Sequence, residues 1–291
     1  MKDFFKKHTI LFFILVAVWA LLSNLLCGVL EGVLGDSLMM YFVADIISNI
    51  VVIIPLVLMV KWGYIKKSNK KRILLGFLAG TPFILFGIRN LLPLALVHPM
   101  LFQVQWGLLF VIIIDMLSVG LIEEAGMRGV VLPLLCEKWQ DRRHPYLMAA
   151  FLSSMLFACA HLNWSVRYLL TYGELSMEYL ASNLYQVYYA FCFGVLAAGV
   201  ALYARSIIPM VIWHAFCDFT AYITAALLPL NTYENYCDNG VLSPQNVFST
   251  YGIFGGYKYA DTIVFGIINV LFLIVGVVLI RKVEKRKTAE S

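Results

Sequence analysis

The chain has 291 residues, 62% of them hydrophobic and 13% charged, against roughly 45–50% apolar and 25% charged in soluble domains. A soluble fold of this size offers no surface for so much Leu, Ile, Val and Phe, which excludes an ordinary cytosolic enzyme, and the 14% aromatic content excludes a disordered chain. The net charge of +5 comes from short basic runs between apolar segments, which fits a membrane surface and excludes a nucleic-acid-binding arm.

Apolar stretches of the ~20 residues that a bilayer core requires recur at 9–30, 39–60, 73–97, 102–122, 146–162, 178–203, 206–229 and 260–280. The expected fold is all-α: a polytopic membrane helical bundle of about eight transmembrane helices, forming a single integral membrane domain over residues 1–291. The first stretch, preceded by Lys2, Lys6 and Lys7, imitates a secretory signal. Its apolar region is too long and lacks a small-residue cleavage site, so a retained signal anchor is expected. In the second, Asp45 and Asn49 share a helix face and are expected to glue it to a neighbour. In the third, Arg89 and Asn90, followed by Pro93, mark a kink. The fourth continues as a helix-compatible pattern from Glu123 to Leu135 before a polar turn from Glu137 to His144. The segment from Asn231 to Tyr257, rich in Asn, Gly, Ser and Tyr, reads as a surface cap or lid. The cysteines Cys27, Cys136, Cys159, Cys192, Cys217 and Cys237 show no CxxC pairing and read as small hydrophobes without a disulfide framework.

With the N-terminus inside, the cytoplasmic segments carry Lys61, Lys66, Lys67, Lys70, Lys71, Arg72, Lys138, Arg142, Arg143, Arg205 and the basic tail from Arg281 to Lys287, whereas Arg167 and Lys258 are left for the other side. That asymmetry places both termini in the cytoplasm, in agreement with an even number of crossings.

A charge at bilayer depth costs at least ~2.5 kcal/mol on insertion scales, so the intramembrane ionisable residues are the default candidates for function. Glu123 and Glu124 close the fourth stretch, with Arg128 shortly after. On an α-helix Glu124 and Arg128 stand one turn apart and can pair, while Glu123 is rotated by ~100° and suits a general base. The fifth stretch ends in Phe157-Ala158-Cys159-Ala160-His161, followed by Asn163 and Trp164. His214 and Asp218 in the seventh share a helix face, either as an oriented imidazole or as two ligands of one metal. Asp115, before Glu123, reads as a helix-contact residue. These groups permit hydrolysis: a glutamate and a histidine can hold and deprotonate water, and a second histidine with a polar neighbour can stabilise an oxyanion. Neither a GxSxG nucleophile elbow nor an HExxH zinc motif occurs.

Glu-Glu-x-x-x-Arg at Glu123, Glu124 and Arg128, Phe-x-x-x-His at Phe157 and His161, and His-x-x-x-Asp at His214 and Asp218 together resemble the three ordered motifs of the CAAX protease and bacteriocin-processing (CPBP, or Abi) family. The resemblance covers residues 102–229 as a catalytic core and implies an intramembrane endopeptidase acting on a membrane-associated peptide or protein. It implies that Glu123 and His161 activate water, that His214 and Asp218 line the oxyanion side, and that Glu124 and Arg128 support the first motif. The CAAX-processing members commonly end the last motif in Asn, where this chain has Asp218. The family has been described both as metalloproteases and as glutamate-dependent enzymes. The cofactor expectation is accordingly a divalent metal such as zinc, with His161, His214 and Asp218 as candidate ligands, or none. The implied setting is a multi-pass protein of a bacterial cell membrane, with the lipid bilayer and a peptide substrate as partners and no nucleic acid. Bacterial relatives are associated with bacteriocin maturation and self-immunity, so the alternative is a non-catalytic immunity or membrane scaffold protein. A proton-coupled transporter ranks last, since no interrupted helices recur in matching halves.

Overall fold

The computed structural model describes residues 26–59 except 31 and 36, 70–88 except 86, 103–162, 165, 169, 173–227 and 258–290. The expected signal anchor through residue 25, the kink at Arg89, Asn90 and Pro93, Asn163, Trp164, Cys237 and the lid from Asn231 to Tyr257 lie outside the described residues. Every regular element among the described residues is helical: α1 (Leu38–Met59), α2 (Lys70–Ala79), α3 (Trp106–Glu124), α4 (Leu132–Lys138), α5 (Pro145–Ala160), α6 (Met177–Ala204), α7 (Ile208–Tyr222), α8 (Thr224–Leu227) and α9 (Lys258–Glu290). Trp106–Lys138, Tyr179–Ala204 and Phe265–Lys287 are long and apolar enough to cross a membrane, and Leu38–Ile54 and Pro145–Ala160 are shorter apolar helices.

Two departures from hydropathy have local causes. The third apolar stretch does not run as one helix. α2 stops at Ala79, Gly80 turns, and Thr81–Phe83 form a single 3₁₀ turn: Pro82 has no N–H for the helical hydrogen-bond ladder, and Gly80 two residues before it is a poor helix former. Between α3 and α4 the chain stays helical but widens into a π turn over Ala125–Val131. Pro133 follows directly; it has no N–H to donate and its ring clashes with the carbonyl four residues back, a conflict that a wider turn relieves.

The described residues fall into two compact units that alternate along the chain: Met1–Val60, Thr81–Gly126 and Val211–Lys258 in the first, and Lys61–Gly80, Met127–Met210 and Tyr259–Ser291 in the second. In the first unit α1 packs on α3. Asn49 Nδ2 donates to Ser118 Oγ at 3.0 Å, and Phe42 meets Leu108, Ile112 and Met116 in the core with Ala215, Ala225 and Ala226. The C-terminal carbonyls of α8 are satisfied by the chain entering α3, through Gln103 N to Leu227 O at 3.0 Å and Gln105 N to Ala226 O at 2.9 Å. Gly120 sets the approach of α7: a Cβ there would lie 2.9 Å from Val211 O and 3.0 Å from Ala215 N. Two helices this close deliver the side chains of one turn directly onto the other.

In the second unit α6 is the central helix, buried almost continuously from Cys192 to Ala201. Ser176 caps its start by accepting from Tyr179 N at 3.2 Å, and Arg205 ends it in the left-handed conformation at φ 51°. Small residues let its neighbours close in: Gly194 abuts Ser154 of α5, and Gly199 faces Gly276 of α9 with room for no side chain between them. The outward face of α9 carries Ile263, Ile267, Leu271, Ile274 and Val278, while Phe265, Ile268 and Phe272 are buried. A helix apolar on both its packed and its open face is built for lipid. Its C-terminal end binds the polar turn before α5: Glu284 accepts from Leu147 N at 3.2 Å, Arg281 donates to His144 Nδ1 at 2.9 Å, and Lys287 donates to Gln140 O at 3.3 Å. Glu284 thereby supplies a carboxylate to the N-terminal turn of α5, where free N–H groups favour one.

The Gly199–Gly276 crossing yields a direct test. Gly276→Val puts a side chain where Val195 O stands 2.6 Å from the first added carbon, and is expected to lower stability by roughly 1–3 kcal/mol, read as a lower melting temperature in detergent. Gly266→Ala on the same helix meets nothing within 4 Å and is expected to stay within about 0.5 kcal/mol of the parent.

Candidate active site

Four of the ionisable residues singled out by the sequence meet in the first unit. Glu123 and Glu124 sit at the C-terminal end of α3, where it gives way to the π turn. Gly120, one turn earlier, brings the α7 backbone against them. His214 of α7 occupies the point of contact. Its Nδ1 lies 3.1 Å from Glu124 Oε1, and its Nε2 lies 3.4 Å from Glu123 Oε2 and 3.6 Å from Asp218 Oδ2. Consecutive glutamates therefore reach opposite edges of one imidazole.

The two edges differ in surroundings. Glu124 is fully enclosed and the His214 side chain is 9% exposed, whereas Glu123 and Asp218 remain 35% and 33% exposed. A carboxylate can only accept, so Nδ1 carries a proton and donates it to Glu124. That hydrogen bond selects the ring orientation and turns Nε2 towards Glu123 and Asp218. At 3.4 Å, Glu123 is close enough for an ionic contact with Nε2 without the alignment of a hydrogen bond. The Nε2 edge thus gathers two carboxylates around one ring nitrogen.

Sequence spacing offers Arg128 as a partner of Glu124, and Arg128 stands in the π turn that begins directly after Glu124. The guanidinium of Arg128, buried to 2% exposure, lies over the Phe157 ring at 4.5 Å and the Phe193 ring at 5.7 Å in the second unit. Asp115 is buried in α3, and neighbouring Ser118 takes the hydrogen bond from Asn49, so the polar face of α1 binds α3 as its spacing implied.

His161 stands in the second unit at the end of α5. Its Nδ1 lies 3.0 Å from the Phe157 carbonyl. A carbonyl accepts only, so Nδ1 bears the proton and Nε2 keeps the lone pair when the ring is neutral. Phe157 holds the same ring edge-to-face, with centroids 4.9 Å apart and planes at 79°. Phe-x-x-x-His is thus a local device in which the residue one turn back sets both tautomer and orientation. Among the described residues no group of three or more His, Cys, Asp or Glu side chains is disposed to hold a metal ion, and the described cysteines are free thiols.

No curated protein and no solved structure matches the chain. A family model does, over residues 105–220, which include all three motifs. Its description is "Type II CAAX prenyl endopeptidase Rce1-like". Residues 105–220, from the residue before α3 to the last turn of α7, are thus similar to the Rce1-like domain of the CPBP family.

Proposed function

We propose that this protein is an eight-span intramembrane endopeptidase, with both termini cytoplasmic, that hydrolyses a peptide bond of a membrane-associated peptide or protein. The observation that carries the reading is the His214 imidazole, anchored at Nδ1 by an enclosed glutamate and facing Glu123 and Asp218 with Nε2. A passive polar knot would be expected to bury every member. Here the two carboxylate side chains on the Nε2 edge stay a third exposed, although the Glu123 oxygen nearest the ring is buried.

In this reading Glu123 is the general base, taking a proton from the attacking water, and the resemblance of the second motif assigns His161 an accepting role through the lone pair on Nε2. The water oxygen bonds to the carbonyl carbon and the carbonyl electron pair moves onto oxygen. His214, protonated at both nitrogens, donates Nε2–H to the oxyanion, and the Glu124 carboxylate balances the ring's charge. Collapse expels the amine, which receives the proton from Glu123. No step is routed through a metal. Asp218 donates a second hydrogen bond to the oxyanion in its acid form, at the position where the CAAX-processing members carry Asn.

The family supplies the probe: a fluorescence-quenched peptide ending in a farnesylated CAAX sequence, presented to the protein in liposomes. Glu123→Gln removes the base while preserving shape, and is expected to lower cleavage about 10²–10⁴-fold with an unchanged melting temperature. Full activity in this variant would reject the assigned role. Asp218 separates a donor from an obligatory anion. Asp218→Asn supplies a permanent donor and is expected to cleave within about tenfold of the parent, whereas Asp218→Leu is expected to lose about 10²–10³-fold. Equal losses in both variants would mean that the negative charge itself is required.

A further inference from the structure

The last carbonyls of an α-helix have no donors inside the helix, and a helix end in an apolar setting must find them elsewhere. α5 meets this in two steps. The chain first tightens, with His161 N bonding to Ala158 O and Leu162 N to Cys159 O, both at 3.1 Å. The carbonyl of His161 itself is then taken by a side chain from another helix: Asn183 Nδ2 of α6 donates to it at 3.1 Å.

Asn183 is 4% exposed and its amide is engaged at both ends. The second Nδ2 hydrogen points to Gln186 Oε1 at 3.3 Å, and Oδ1 accepts from Ser165 Oγ, just beyond the α5 turn. The His161 carbonyl can only accept, so the nitrogen of the amide must face it and the oxygen must face Ser165. One asparagine therefore ties the histidine-bearing turn and the segment after it to the central helix. The ring of that histidine is held from the other direction by Phe157, which rests on Arg128. Backbone and ring are thus fixed by separate partners, and neither uses Nε2.

We propose that Asn183 is a positioning residue for His161, holding the turn at the end of α5 so that the Phe157 carbonyl keeps Nδ1 protonated and Nε2 stays free to accept. The catalytic part of this inference rests on the peptidase reading; the positioning part does not. When the amide is lost the turn is free to shift, the 3.0 Å contact between Nδ1 and Phe157 O loosens, and the lone pair moves relative to the water it would hold. Displacements of about 1 Å in such a group cost about 10²-fold in rate.

The test uses the full-length protein, labelled with ¹⁵N-histidine, in detergent micelles, with the His161 and His214 resonances assigned from His161→Gln and His214→Gln. In the parent, His161 is expected as a single Nδ1–H tautomer. Asn183→Asp keeps an acceptor for Ser165 and removes the donor to the turn. It is expected to move the His161 ring nitrogens towards the average of the two tautomers while His214 stays in place. Ser165→Ala, which removes one of the amide's partners with little change of volume, is expected to shift His161 in the same direction by a smaller amount, and it serves as the readout if Asn183→Asp does not fold. Cleavage of the farnesylated reporter by Asn183→Asp is expected to fall about 10–100-fold in kcat with KM within about threefold. His161 resonances that coincide with the parent's in both variants would overturn the proposal, and so would equal displacement of His214, which would mark general loosening. A parent protein that cleaves nothing would count against the peptidase reading alone, because the tautomer is read without turnover.

Discussion

An imidazole buried in an apolar bundle must have its ring nitrogens answered by side chains, because lipid supplies no water to answer them. In the first unit that constraint is met by three carboxylates around His214, at 3.1, 3.4 and 3.6 Å. The rest of the local architecture serves this contact. Gly120 exists as glycine because any side chain would strike the α7 backbone, and only at that separation does the His214 ring fall between consecutive glutamates of α3. The π turn that follows lets the helix accommodate Pro133 without unwinding. The helix therefore continues past the site in one piece, and the carboxylates sit on a rigid element, which is where a preorganised site has to be built.

Small residues recur wherever a polar group is placed. Gly194 against Ser154 and Gly199 against Gly276 draw α5 and α9 onto α6 in the second unit, and α6 in turn carries Asn183, which answers the end of α5. Close backbone approach is the means by which helices in lipid gain packing energy, since burial of apolar surface offers little when the solvent is itself apolar. The same approach brings hydrogen-bonding side chains within reach of carbonyls on the next helix. Packing and polar satisfaction are thus one construction, and the histidines are its beneficiaries.

Much of this was legible in the chain itself. α1, α3, α5, α6 and α7 lie on the apolar stretches at 39–60, 102–122, 146–162, 178–203 and 206–229, because length and hydropathy decide such helices before any tertiary detail enters. Hydropathy failed where punctuation mattered. Gly80, Thr81 and Pro82 break the third stretch although the flanking residues are apolar, and α9 runs on to Glu290 although its apolar run ends at Ile280, since Lys and Arg are good helix formers and here find partners at His144, Gln140 and Tyr203. At the site, spacing along one helix brought out His214 and Asp218 as neighbours. It could not reveal that Glu124 would turn to a residue ninety positions away, nor that Asn183, outside every motif, would take the His161 carbonyl. Long-range partners are set by how helices cross, and an isolated sequence does not carry that information at single-residue resolution.

The central claim is that the Nε2 edge of His214 receives the charge of a tetrahedral intermediate. Binding of a phosphinate peptide, which carries tetrahedral charged oxygens at the position of the scissile bond, tests this most directly when its affinity is measured by calorimetry in detergent. The account predicts that His214→Ala weakens binding at least about 30-fold, the scale of one charged hydrogen bond, while Arg281→Ala, a change outside all three motifs, leaves it unchanged. Equal affinity in the parent and in His214→Ala would contradict it.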